Sequence, residues 1–207
     1  MRPGSILVIG YGNDLRGDDA AGRCAATRIA DWELPAVRVL SLHQLTPELA
    51  DPLAAADRAI FLDAHPVADD PAVRVRPISP LPHTNRFGHA SDPQALLAFT
   101  QTAFGRIPEA WWITIPAADF ALGAPLSRFT ERGIADALAA IRPLLDPRIS
   151  QDAETLVFAQ AAQKGSDARR RAQGGVPTAG GSRRTTGTPQ RVPEQANAVD
   201  GPFSAAC

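Results

Sequence analysis

Short apolar runs alternate with longer mixed stretches over the first two thirds of the chain. Ser5–Tyr11 (SILVIGY) is an almost unbroken apolar run, as expected of a strand buried on both faces. Asp19–Trp32 carries apolar residues at helical spacing with acid at its start, which predicts a helix. Val37–Leu42 (VRVLSL) alternates and predicts a second strand. Thr46–Ala56 opens Thr-Pro-Glu, placing proline at the first position of a helix. Arg58–Asp63 (RAIFLD) reads as a third buried strand that ends on a carboxylate, and Ala72–Ile78 alternates like an edge strand. Ser79–Ala90, rich in Pro, His and Asn, reads as a loop. Asp92–Phe104 predicts a helix capped by Asp92 and entered through Pro93; Trp111–Ile115 predicts a strand. Leu126–Leu145 predicts a long helix with Ser127 as its N-cap and Pro143 near its end. This alternation predicts an α/β fold with a twisted, mostly parallel central sheet and helices on both faces. Ligand sites in such sheets lie beyond the C-terminal ends of the strands.

The pattern stops near residue 150. Residues 151–207 are built largely of Gly, Ala, Ser, Thr, Gln, Arg and Pro, and Leu156, Phe158 and Phe203 are their only large aliphatic or aromatic side chains beyond valine. Such a segment cannot bury enough surface to offset its ordering entropy. The expectation is therefore one folded domain over 1–150 and a disordered tail over 151–207. The Arg169–Arg171 and Arg183–Arg184 clusters read as a solvated tail and not as a nucleic-acid arm.

Composition narrows the function classes. A formal charge of −1 gives no drive toward nucleic acid or an anionic membrane. No apolar run approaches the ~20 residues of a membrane span, and the N-terminal run is too short and too soon broken for a secretory signal. Cys24 and Cys207 lie far apart in unlike contexts and give neither a disulfide framework nor zinc spacing. A cytoplasmic protein is expected.

The candidate chemistry sits at predicted strand ends. Gly10-Tyr11-Gly12-Asn13 follows a strand, but the third glycine of a dinucleotide fingerprint falls on Leu15, so that fingerprint fails. Gly10 and Gly12 read as a tight turn and Asn13 as scaffold. Asp18 and Asp19 follow. One acid suffices to cap a helix, and since successive side chains diverge, the other can face the sheet end. Asp63 closes the third strand, so acids from the first and third strands can meet in one crevice. A histidine added to them makes an oxygen/oxygen/nitrogen site for a divalent metal. Of His43, His65, His83 and His89, the last follows Gly88 and directly precedes a helix, but His43 and His65 serve equally on chemistry alone.

GYGNDLRGDDAAG, at 10–22, resembles the G-x-G-N-x-L-x-x-D-D/E-x-x-G opening of the nickel–iron hydrogenase maturation endopeptidases. HQLTPELA and AIFLDA resemble that family's second and third segments, GHASDPQALL its histidine segment, and ADFALGAPLS its more variable stretch before the last helix. The likeness runs from about Ile6 to Leu145 and leaves the tail uncovered. It implies a protease that removes the C-terminal extension of a hydrogenase large-subunit precursor once nickel is in place. Carried over, the metal-contacting positions fall on Asp19, Asp63 and His89, with Asp18 matching the preceding acid. Two mechanisms stay open: the metal polarises the scissile carbonyl or activates water, or a carboxylate, Asp19 or Asp63, acts alone as base. HQLTPELA is nearest the branch acting on soluble, NAD-linked hydrogenases. Ala20 stands where many members have Gly, Asp19 replaces the Glu of some, and Thr114-Ile115-Pro116 departs from the usual loop.

The resemblance further implies that nickel arrives with the substrate and is not permanently bound. Expected partners are the precursor alone, with no nucleic acid and no membrane, and the protein is expected to be a monomer. Two rival readings stand beside this one. One is a non-catalytic maturation chaperone using the same crevice. The other is a nucleoside- or nucleotide-handling α/β enzyme, which would need phosphate ligands near the strand ends.

Overall fold

A computed structural model describes residues 4–68, 70–82 and 92–146. The elements run β1 (Ile6–Tyr11), α1 (Ala21–Ala30), β2 (Val37–Leu42), α2 (Ala50–Ala55), β3 (Arg58–Pro66), β4 (Arg74–Ile78), α3 (Pro93–Phe104), β5 (Glu109–Ala117) and α4 (Arg128–Ile141). Short 3-10 turns lead into α1 and α2 and follow α4. One sheet has the order β2-β1-β3-β5-β4, parallel throughout except for the edge strand β4, which runs antiparallel to β5. The expected α/β architecture is what forms, with every predicted element present among the described residues. The predicted tail and domain boundary, positions 83–90 of the predicted loop, and Cys207 lie outside them.

Side chains alternate across the central strands and so build two cores. One holds Val8, Ile60, Leu62, Ile113 and Ile115 under α1 and α4. The other holds Leu7, Ile9, Tyr11, Phe61 and Leu53 under α2 and α3. Fully buried strands of this kind carry apolar residues on both faces, which is why β1 and β3 read as near-continuous runs in the sequence.

Two expectations about local structure change. Asp18 and Asp19 do not open α1 but lie in the preceding 3-10 turn, Gly17–Ala20, with no side-chain cap. Asp63 does not end β3, because the strand continues to Pro66 through its pairing with β5. β1 stops at Tyr11, so Asp63 sits one residue past the last β1–β3 pair, Gly10↔Leu62, where β3 begins to overhang its neighbour.

The glycines do more than turn the chain. A Cβ on Gly10 would collide with the Gly22 carbonyl, and one on Gly22 with the Leu62 carbonyl and, at 2.6 Å, with the Tyr11 carbonyl. Gly12, at φ 139°, has the Asp19 carbonyl where a side chain would project. The first turn of α1 thus lies backbone-to-backbone on β1 and β3. Gly22→Ala raises intrinsic helix propensity by about 1 kcal/mol, yet it must push α1 off the sheet. The expected result in urea denaturation is a net loss of about 1–3 kcal/mol, opposite in sign to the propensity effect.

Candidate functional site

Asp18 is fully buried, and its carboxylate is saturated with donors. Oδ2 accepts from the N–H groups of Ala118 and Asp119, both at 2.9 Å, and from the Ser127 hydroxyl at 2.8 Å; Oδ1 accepts from Ser127 N–H at 2.7 Å. Its own N–H donates to the Asp119 carbonyl at 2.8 Å. Burial opposes ionisation here, but the N–H groups of Ser127, Asp119 and Ala118 and the Ser127 hydroxyl more than offset it and hold the carboxyl below its ordinary pKa. Asp18 therefore staples the loop after β5 to the turn before α1. Ser127, the expected N-cap of α4, also accepts from Thr130 N–H at 3.2 Å. The acid that matched the motif is structural, and its side chain is spent on backbone.

Asp19 points the other way. Half-buried, it accepts from Asn13 N–H at 3.0 Å, while Asn13 Oδ1 takes Leu15 N–H at 2.9 Å, the scaffold role expected of Asn13. The glycine loop thus has its Asn13 N–H turned onto a carboxylate and its Gly12 N–H onto the His43 carbonyl at 3.3 Å. A loop so engaged offers no cradle for a phosphate.

Asp63 faces this turn from β3. Its Oδ1 accepts from Ala64 N–H at 2.8 Å. Burial pushes its pKa up to about 7; the Tyr11 hydroxyl and Ala64 N–H work against that rise, and the charge of Asp19 adds to it. The charge of Asp19, from the turn before α1, thus reaches Asp63 on β3.

The histidines divide. His43, just beyond β2, is exposed, and its carbonyl braces Gly12. His65 is buried in β3, and its Nε2 lies 2.9 Å from the Asp70 carbonyl, which fixes Nε2–H as the donor. His83 and His89 lie outside the described residues. Asp92, three positions beyond His89, caps α3 by accepting Gln94 N–H at 2.8 Å, and its charge reaches Tyr11. Among the described residues, no group of three His, Cys, Asp or Glu side chains is placed to hold a metal ion. The two carboxylates are hard oxygen donors with mutual repulsion that a divalent cation would relieve. No described helix is long and apolar enough to cross a membrane.

Sequence reasoning missed Tyr11 and Trp112. Both read only as parts of strands; in the sheet Tyr11 follows Gly10, the partner of Leu62, and Trp112 pairs with Phe61, two residues before Asp63.

No protein-family model and no curated protein matches the sequence. Solved structures do. The NiFe hydrogenase maturation protease HybD of Thermococcus kodakarensis is 19% identical, over 68% of this chain and 98% of its own, at a TM-score of 0.52. The hydrogenase maturating endopeptidase HybD of Escherichia coli is 22% identical, over 68% of this chain and 94% of its own, at 0.52. HycI of T. kodakarensis is 21% identical, over 65% and 92%, at 0.50. This chain has the fold of those proteases.

Two outcomes follow from the opposite environments of the acids. Asp18→Asn replaces an acceptor by an amide that meets four donors, and a loss of about 3 kcal/mol is expected at pH 7. Because the native pKa is lowered, that loss shrinks as pH falls through it, which denaturation at neutral and acid pH reads directly. Asp63 carries the reverse sign. Its raised pKa means that its stability contribution is complete below about pH 4 and is lost as pH rises through about 7. Metal-free Asp63→Asn should therefore melt a few degrees above the wild type at pH 8, and the two should converge near pH 4.

Proposed function

We propose that this protein is an endopeptidase that removes the C-terminal extension of a nickel-loaded nickel–iron hydrogenase large-subunit precursor. The observation that carries this reading is Asp63, held half-buried at the sheet edge, its ionisation opposed by burial and by the charge of Asp19 close by. Such a pair costs stability, and groups kept at that cost are typical of functional sites. The shared fold, and four sequence segments in the order of the maturation endopeptidases, support the substrate class. His89 is assigned as the third ligand because it is the histidine of the segment GHASDPQALL, which resembles the family's histidine segment.

In this reading nickel is cargo of the substrate. Two carboxylates and an imidazole leave open positions, so a metal already held by the precursor can be engaged at Asp19, Asp63 and His89. The chain's own residues then orient the scissile bond beside the carboxylates. The carboxylate that is free to take a proton near neutral pH is Asp63, which suits a general base acting on water. Asp18 acts one step back, keeping the turn that presents Asp19 in place.

The nucleotide rival is weakened by the Asn13 N–H being occupied by Asp19. The chaperone rival predicts precursor binding without cleavage. Purified protein is mixed with nickel-loaded and nickel-free precursor, and cleavage is read by gel shift. Only the loaded form should be cut; equal cleavage of both would refute substrate-borne nickel, and binding with no cleavage would favour the chaperone. Asp63→Asn, Asp19→Asn and His89→Ala should each reduce processing at least a hundredfold while the thermal melt shows a folded protein.

A further inference from the structure

Behind Asp63 lies a buried polar cluster that the reaction described above does not use. Tyr11 ends β1, and Trp112 lies on β5 opposite Phe61 of β3, on the α2/α3 side of the sheet. The Tyr11 hydroxyl and the Trp112 indole Nε1 are both buried, and neither completes a hydrogen bond among the described residues. Leaving a buried donor idle is costly, and native proteins rarely leave two side by side.

The neighbours of these atoms are each other. Tyr11 and Trp112 belong to one packed cluster, and Asp63 follows Leu62, the partner of Gly10, so its side chain projects to the same side of the sheet as Tyr11. An indole N–H can only donate. A phenol keeps its proton at neutral pH. The direction of any chain among the three is therefore forced: Trp112 Nε1–H toward the Tyr11 oxygen, and Tyr11 O–H toward Asp63. Ala64 N–H already holds Asp63 Oδ1. A second donor would fix the carboxylate's rotation and leave a defined face toward Asp19. The G-x-G-N motif leaves the position of Tyr11 open, so the hydroxyl is supplied by this chain's own sequence.

We propose that Trp112 and Tyr11 form a donor chain that fixes the orientation of the Asp63 carboxylate, making Tyr11 a positioning residue for the processing reaction. The inference rests on the proposed function for its consequence, though not for the contact itself. Carboxylates that engage metals are commonly held by outer hydrogen bonds, and losing such a partner lowers affinity or activity about 10–100-fold. Hydrogen bonds that are loose in a free enzyme also tighten when substrate is engaged.

Tyr11→Phe removes one oxygen and keeps the ring, so packing is preserved. The contact is tested without reference to function by a double-mutant cycle with Asp63→Ala in urea at pH 8. Tyr11→Phe should shift the unfolding equilibrium of the wild type at least fivefold more than that of Asp63→Ala. The Trp112 Nε1–H cross-peak in a nitrogen–proton NMR spectrum should also move in Tyr11→Phe. Equal shifts in the two backgrounds, with an unmoved cross-peak, would show an idle hydroxyl and overturn the proposal. The consequence is tested on nickel-loaded precursor, where Tyr11→Phe should lower kcat at least tenfold with KM unchanged. A coupled pair with wild-type kcat would overturn the positioning role. If the wild type cleaves no precursor, the proposed function fails, while the cycle still decides whether the chain exists.

Discussion

The carbonyl oxygens of Tyr11 and Leu62 lie where a side chain at position 22 would project, and the carbonyl of Gly22 lies where one at position 10 would. This backbone contact between α1 and the β1–β3 pair sets the height of the helix above the sheet. The turn before the helix inherits that height, and with it the positions of Asp18 and Asp19. A helix raised by one methyl group would carry Asp19 away from Asp63 and draw Asp18 out of the loop that it organises. The buried face of α1 is accordingly built from small residues over its first turns, Ala21, Gly22, Cys24, Ala25 and Ala26, before Ile29.

The two consecutive acids show how one element can divide structural and chemical work. Asp18 is the more deeply buried, yet it is the more comfortable anion, because three N–H groups and a hydroxyl surround it. Asp63 keeps some solvent exposure but has fewer donors and a second carboxylate nearby, so its charged form is disfavoured. Burial alone does not decide the state of a carboxylate; the donors it meets there do.

Strand length decides where the crevice opens. β1 ends at Tyr11, whereas β3 and β5 continue together to Pro66 and Ala117. The overhang exposes one edge of β3 just beyond Leu62, and Asp63 is the first residue on it whose side chain faces the α2/α3 side. Tyr11 is the last residue of β1, and its hydroxyl opposes the rise of the Asp63 pKa.

Much of this was legible in the chain itself. The apolar runs of β1 and β3, the alternation of β2 and β4, the Asp92–Pro93 and Ser127 helix starts and the order of the segments are local signals, set by side-chain periodicity and capping chemistry. They determined the α/β class and placed acids near strand ends. The division of labour between Asp18 and Asp19 was not legible, because it depends on the loop at 118–127, a hundred residues away, folding back as a donor set. Nor was the reach of β3 past Asp63, since the extension is paired only with β5. Gly10 and Gly12 read locally as a turn, but the reason for having no side chain there lies later in the chain, in α1 for Gly10 and in the turn before it for Gly12. Tyr11 and Trp112 passed only as parts of strands, because a sequence reports periodicity and hydrophobic size, while the surroundings of a buried hydroxyl or indole N–H are settled only by sheet register. Periodicity is a property of neighbours along the chain; donor geometry and close backbone approach are properties of neighbours in space, and those the tertiary structure alone decided.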